Sequence, residues 1–180
     1  AGFCELGLGS VLPLYGLSLG LAAGAAALLL SVSGIGGTVF AIPAGMLADR
    51  FADPERGRHR LMLWLVGLLV LASAAGFAVP HWPALVWPIA FVWGAAGGTL
   101  YTLTMLDIGS RERGITLVNS TSVLVLTYTL GALVASSSAG ALLDWSPKRM
   151  FPGTVLAVAL IGWVVLWRSR LPKGDGPTIS

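Results

Sequence analysis

The sequence predicts an all-α fold, a polytopic membrane helical bundle with six transmembrane helices. Three observations predict it. Of the 180 residues, 56% are hydrophobic and 11% charged, with a mean hydropathy of +0.83. Eleven basic and eight acidic residues cannot form the charged shell of a soluble domain this large. The charges sit in short clusters between apolar stretches, and crossing a ~30 Å hydrocarbon core takes about 20 apolar helical residues. The 24 glycines and seven tryptophans suit membrane helices, where Gly is tolerated and Trp collects at interfaces. In hydrocarbon every backbone N–H and C=O needs an internal partner, so the spans must be helices or a closed barrel. No segment alternates polar and apolar residues with period two, which argues against the barrel.

Apolar runs bounded by charge, Gly and Pro place the spans at residues 1–21, 25–48, 61–79, 84–106, 117–143 and 152–167. Together they make one bundle over 1–170, followed by a polar, Pro/Gly-rich tail over 171–180 that reads as a disordered cytoplasmic end. The first span begins at Ala1 already inside an apolar run, without a basic leader, which predicts a fragment of a longer protein. Cys4 is the one cysteine, so there is no disulfide framework.

The connections sort by charge. Arg50, Arg56, Arg58 and Arg60 follow span two, Arg111 and Arg113 follow span four, and Arg168, Arg170 and Lys173 follow span six. Those nine share one side and only Lys148 and Arg149 lie on the other, which accounts for all eleven. The positive-inside rule then makes the protein multi-pass in the cell's cytoplasmic membrane, with a cytoplasmic C-terminus. Trp82, Trp87 and Trp145 near the outer surface, with Trp64 and Trp167 near the inner, fit aromatic belts. The same rule accounts for the net charge of +3 without nucleic acid, which is not an expected partner.

Polar groups inside spans need a reason, because an ionisable side chain there costs several kcal/mol by some measures. Glu5 is the one acid well inside a span. At 100° per residue it shares an arc of about 60° with Gly2, Gly9, Gly16 and Gly20, a face open to another helix or a cavity. Two readings stand: a proton-titrating or substrate-binding carboxylate, or a Glu that snorkels or bonds a neighbouring helix. Pro13 in the same span frees a backbone carbonyl and can kink the helix.

Span four carries Gly94, Gly98, Tyr101 and Met105 on one face. Span five carries Ser122, Thr129, Ser136 and Gly140, and opens with Asn119. Such stripes serve either close helix packing or a water-filled path lined by Tyr101, Asn119 and Thr129. Spans three and six have few polar side chains and read as peripheral. Asp107 and Asp144 end spans four and five, where interfacial solvation suffices. His59 and His81 lie on opposite sides and cannot share a metal, and no HExxH, P-loop or GxSxG motif occurs. An enzyme is therefore disfavoured, and no metal or cofactor is expected.

Gly45-Met46-Leu47-Ala48-Asp49-Arg50-Phe51, trailed by Arg56, Arg58 and Arg60, resembles the G-x-L-a-D-r loop between the second and third helices of each half of major facilitator superfamily transporters. Gly45 and Ala48 let a partner helix approach, Asp49 can face the positive N-terminal end of that helix, and the arginines can pair with acids. Leu12-Pro13-Leu14-Tyr15-Gly16, the stretch from Gly94 to Tyr101, and Gly131 to Asp144 are similar to the family's seventh, tenth and eleventh helices. The loop departs from the family in continuing Phe51-Ala52-Asp53-Pro54-Glu55, which inserts two acids and unsettles the salt-bridge pattern.

The resemblance, to drug-efflux-like or sugar-transporter-like bacterial members, implies the C-terminal half of a twelve-helix secondary transporter. It implies alternating access, a small-molecule substrate bound near the midplane, and an N-terminal six-helix half as partner within the bilayer. Glu5 would contribute to proton coupling, and Tyr15, Tyr101, Asn119 and Thr129 would line the path. Gly45, Asp49, Arg50, Arg56 and Arg58 would form the gating and orientation loop. The alternatives are a non-transporting membrane scaffold or sensor, and a six-helix half-transporter that pairs with a second copy of itself.

Overall fold

The computed structural model describes residues 2–3, 8–51 and 53–169, and every regular element among them is helical. The order is α1 (Leu8–Ser18), α2 (Ala23–Asp49), α3 (Pro54–Gly76), a 3-10 turn at Pro83–Leu85, α4 (Val86–Arg111), α5 (Gly114–Trp145) and α6 (Pro147–Arg168). From α2 onward, five helices are long and apolar enough to cross a membrane. The described part of α1 has 11 residues, so a sixth span is not among those five. Cys4, Glu5 and the tail from 170 to 180 lie outside the described residues.

α3 starts seven residues before the expected span. Asp53 has extended backbone and accepts from the Arg56 N–H at 3.2 Å, and Pro54 takes the first helical position, where its missing N–H is not needed. The two acids inserted after Asp49-Arg50 thus build a helix start. Arg56, Arg58 and Arg60 stand on the first turns of α3, not in a loop.

α4 is the central helix. In its apolar stretch 56% of residues are buried, against 33% for α3, 22% for α6, 17% for α2 and 6% for α5. Among the described helices α3 is thus second to α4 in burial. Burial here is decided by shape: an aromatic knot fills the space between four helices. Tyr15 of α1, fully buried, lies 4.7 Å from Phe151 of α6, whose ring meets Trp93 of α4 edge-on at 5.4 Å. The Trp93 indole N–H donates to Ser73 Oγ of α3 at 3.0 Å, and Ser73 donates on to the Leu69 carbonyl at 2.7 Å. A buried indole needs such a partner, since an unmet donor costs about 1–3 kcal/mol.

The ends of the bundle sort as the charges do. Arg58 on α3 contacts Asp107 on α4, and Arg60 lines one groove with Trp167 of α6, so the three described arginine-rich ends are together. Lys148 and Arg149 line a cavity at the other end with Pro80 and His81.

Candidate functional site

The site begins with the seam between α2 and α4. A Cβ added at Gly36 would overlap the Phe91 carbonyl oxygen and stand 3.1 Å from the Ala95 nitrogen, and one at Gly94 would overlap the Ser33 carbonyl. Phe40 and Phe91 close one flank edge-to-face at 5.8 Å. With no hydrophobic force between helices in lipid, such backbone contact is what holds them together.

Beside this seam a cleft of about 370 Å³ opens between α1, α2 and α4. Gly9, Ser33, Thr38, Gly98, Tyr101 and Thr102 contribute to its wall, and none of the lining residues is charged. Thr38 and Thr102 donate to the Gly34 and Gly98 carbonyls one turn back, both at 3.1 Å, which leaves their oxygen lone pairs as acceptors. Tyr101 stands between this cleft and α5, its ring 4.8 Å from that of Tyr128.

The candidate path residues separate in space. Tyr101 lines the cleft. Tyr15 does not: it belongs to the apolar core, with its hydroxyl donating toward the Gly76 carbonyl at 3.5 Å. At 100° per residue Tyr15 already falls outside the glycine arc of its own helix, and its ring and hydroxyl meet α6 and α3. Asn119 and Thr129 are exposed on α5, and Thr129 donates to the Val125 carbonyl at 2.8 Å. Other hydroxyls of α5, those of Thr121, Ser122 and Thr127, likewise bond carbonyls of their own helix. Ser136 reaches beyond it, to Ser10 of α1 at 3.1 Å. Glu5 lies outside the described residues.

At the arginine-rich end the loop residues also divide. Gly45 approaches Leu106 of α4, where an added Cβ would be 3.7 Å from its Cδ1. Asp49 closes α2, and its side chain is outside the described part. Arg50 is exposed, and its backbone N–H bonds the Leu47 carbonyl. Arg56 pairs locally with Asp53 at 3.1 Å.

Arg58 is different. It is 5% exposed, and it holds Asp107 Oδ1 at 3.2 Å through Nε and Ser110 Oγ at 2.7 Å through Nη2. Arg111 joins the same Asp107 oxygen at 3.1 Å and Glu55 at 3.6 Å. The inserted Glu55 thereby connects α3 to the end of α4. Asp107 is a shared anion with two guanidinium partners, not merely a solvated helix end. The clue in the sequence was Asp107, Ser110 and Arg111 at i, i+3 and i+4, one face of a helix.

These features define a membrane-spanning helical bundle with a glycine seam, an uncharged cleft and an ion-paired end. The chain belongs to the Major Facilitator Superfamily, whose profile matches residues 1–122. It is 27% identical over 139 residues to the uncharacterized MFS-type transporter YfkF of Bacillus subtilis, covering 77% of this chain and 34% of that protein. It is 28% identical over 168 residues to the uncharacterized MFS-type transporter YcaD of Salmonella arizonae, covering 93% of this chain and 41% of that protein. The chain thus spans well under half the length of these relatives. No solved structure matches it.

Proposed function

We propose that the complete protein is a secondary active transporter that carries a small solute across the cytoplasmic membrane by alternating access, and that this chain is one six-helix half of its twelve-helix fold. The observation that carries the reading is the uncharged, hydroxyl-bearing cleft between α1, α2 and α4, in a chain of this family. On this reading α1 completes the sixth span, and the exposed faces of α2 and α5, including Asn119 and Thr129, meet the other half. Hydroxyls satisfied within their own helix can face either water or protein at little cost, which suits a surface that changes neighbours as two halves rock.

The ion-paired end supports the same mechanism. Arg58–Asp107 and Arg111–Glu55 tie the start of α3 to the end of α4, which favours these two helices rocking together. The positive-inside rule puts this end, and the C-terminus, in the cytoplasm. Glu5 supplies the carboxylate for proton coupling.

The test is reconstitution of the full-length protein in vesicles, with proton movement followed as a solute gradient is imposed. Solute-driven proton flux is expected, and its loss in Glu5→Gln with solute exchange retained. Unchanged coupling in that variant sinks the carboxylate assignment, and absence of any solute flux sinks the transporter reading.

A further inference from the structure

A groove of about 560 Å³ lies outside the cleft, between the arginine-rich ends of α3 and α6. Trp64 and Leu71 of α3 and Trp163 and Trp167 of α6 wall it, with Gly67 at its floor and Arg60 at its mouth. A Cβ added at Gly67 would meet no atom within 4 Å, so the floor is open space. Trp163 and Trp167 stand edge-to-face at 5.5 Å and form one continuous wall.

Arg56, Arg58 and Arg111 each hold a carboxylate, whereas Arg60 has no ion-pair partner among the described residues. Eleven helical steps from Arg60 to Leu71 descend about 16 Å at 1.5 Å each. That is about half of a ~30 Å hydrocarbon core, the depth of one leaflet. A cation at the interface above an apolar channel one leaflet deep complements an anionic headgroup with its acyl chain. A second copy of this chain docking here about a two-fold axis would bring two Arg60 side chains together, which disfavours it.

We propose that the α3–α6 groove binds an anionic phospholipid of the arginine-rich leaflet, its phosphate at Arg60 and one acyl chain lying over Gly67. The site depends on the membrane-spanning fold and not on transport. The experiment reconstitutes the full-length protein in phosphatidylcholine vesicles with brominated phosphatidylglycerol or brominated phosphatidylcholine, and follows quenching of tryptophan fluorescence. Phosphatidylglycerol is expected to quench at lower mole fraction than phosphatidylcholine. Arg60→Gln should weaken its association about fivefold, the factor for about 1 kcal/mol per basic residue at an anionic surface, and Arg60→Lys should retain it. Gly67→Leu, whose Cβ meets no atom within 4 Å and whose longer side chain enters the groove, should reduce quenching by both lipids. Equal quenching by the two lipids, an unchanged preference in Arg60→Gln, undiminished quenching in Gly67→Leu, or a dimer in nanodiscs that shields the groove would each overturn the proposal.

Discussion

Gly36→Ala tests the packing of α2 on α4 most directly. The added methyl would overlap the Phe91 carbonyl oxygen, with the Ala95 nitrogen at 3.1 Å and the Phe91 carbonyl carbon at 3.2 Å. Carbon contacts prefer about 3.5–4.0 Å. All three obstacles are backbone atoms of α4, so no rotamer change relieves them and the two axes must part. A separation of ~0.5–1 Å forfeits a quarter to a half of each contact's ~0.1–0.2 kcal/mol, so a seam with about as many contacts as one buried Leu side chain, ~40, loses about 2 kcal/mol. The control is on the same helix two residues earlier. A Cβ at Gly34 meets nothing within 4 Å, so Gly34→Ala gains up to about 1 kcal/mol of helix propensity. Thermal unfolding of the purified full-length protein in one detergent should therefore place Gly36→Ala below the unmodified protein and Gly34→Ala at or above it. Equal melting of the two variants would refute the close-approach reasoning.

Three further substitutions probe polar burial. Asp107→Ala strands the buried Arg58 guanidinium with Ser110 alone, at a cost of about 2–3 kcal/mol, whereas Arg58→Gln leaves a partly exposed Asp107 its bond to Arg111 and costs about 1 kcal/mol. Thermal melts in detergent should rank them in that order, and the reverse order would mean that Arg58 is solvated. The Thr99 hydroxyl is fully buried and finds no partner among the described residues, so Thr99→Val should be neutral or stabilising by up to about 1 kcal/mol. A clear loss of stability in the same melts would reveal a partner for that hydroxyl.

Much of the architecture was legible because it depends on local sums. The span from 25 to 48 matches α2 (Ala23–Asp49) closely, since uninterrupted apolar length is a property of one segment. The span from 61 to 79 was misplaced at its start, because a hydropathy reading treats Arg56, Arg58 and Arg60 as loop, while the Asp53 cap and Pro54 begin the helix beneath them. Of the cleft, Tyr101 and the glycines of α4 were visible as a stripe, but Ser33 and Thr38 were not. Hydroxyls spaced along a long apolar helix carry no sign of which turn meets a neighbour.

By itself the sequence determined that this chain crosses a membrane as helices and which loops share a side, because apolar length and loop charge act on each segment independently. Only the tertiary structure decided that Tyr15 belongs to the core, that Arg58 pairs with Asp107, and that α4 is the central helix. Those outcomes depend on how each helix is rotated about its axis and where it crosses its neighbours. Both are set by contacts between residues far apart in the chain, from Tyr15 to Phe151 and from Arg58 to Asp107.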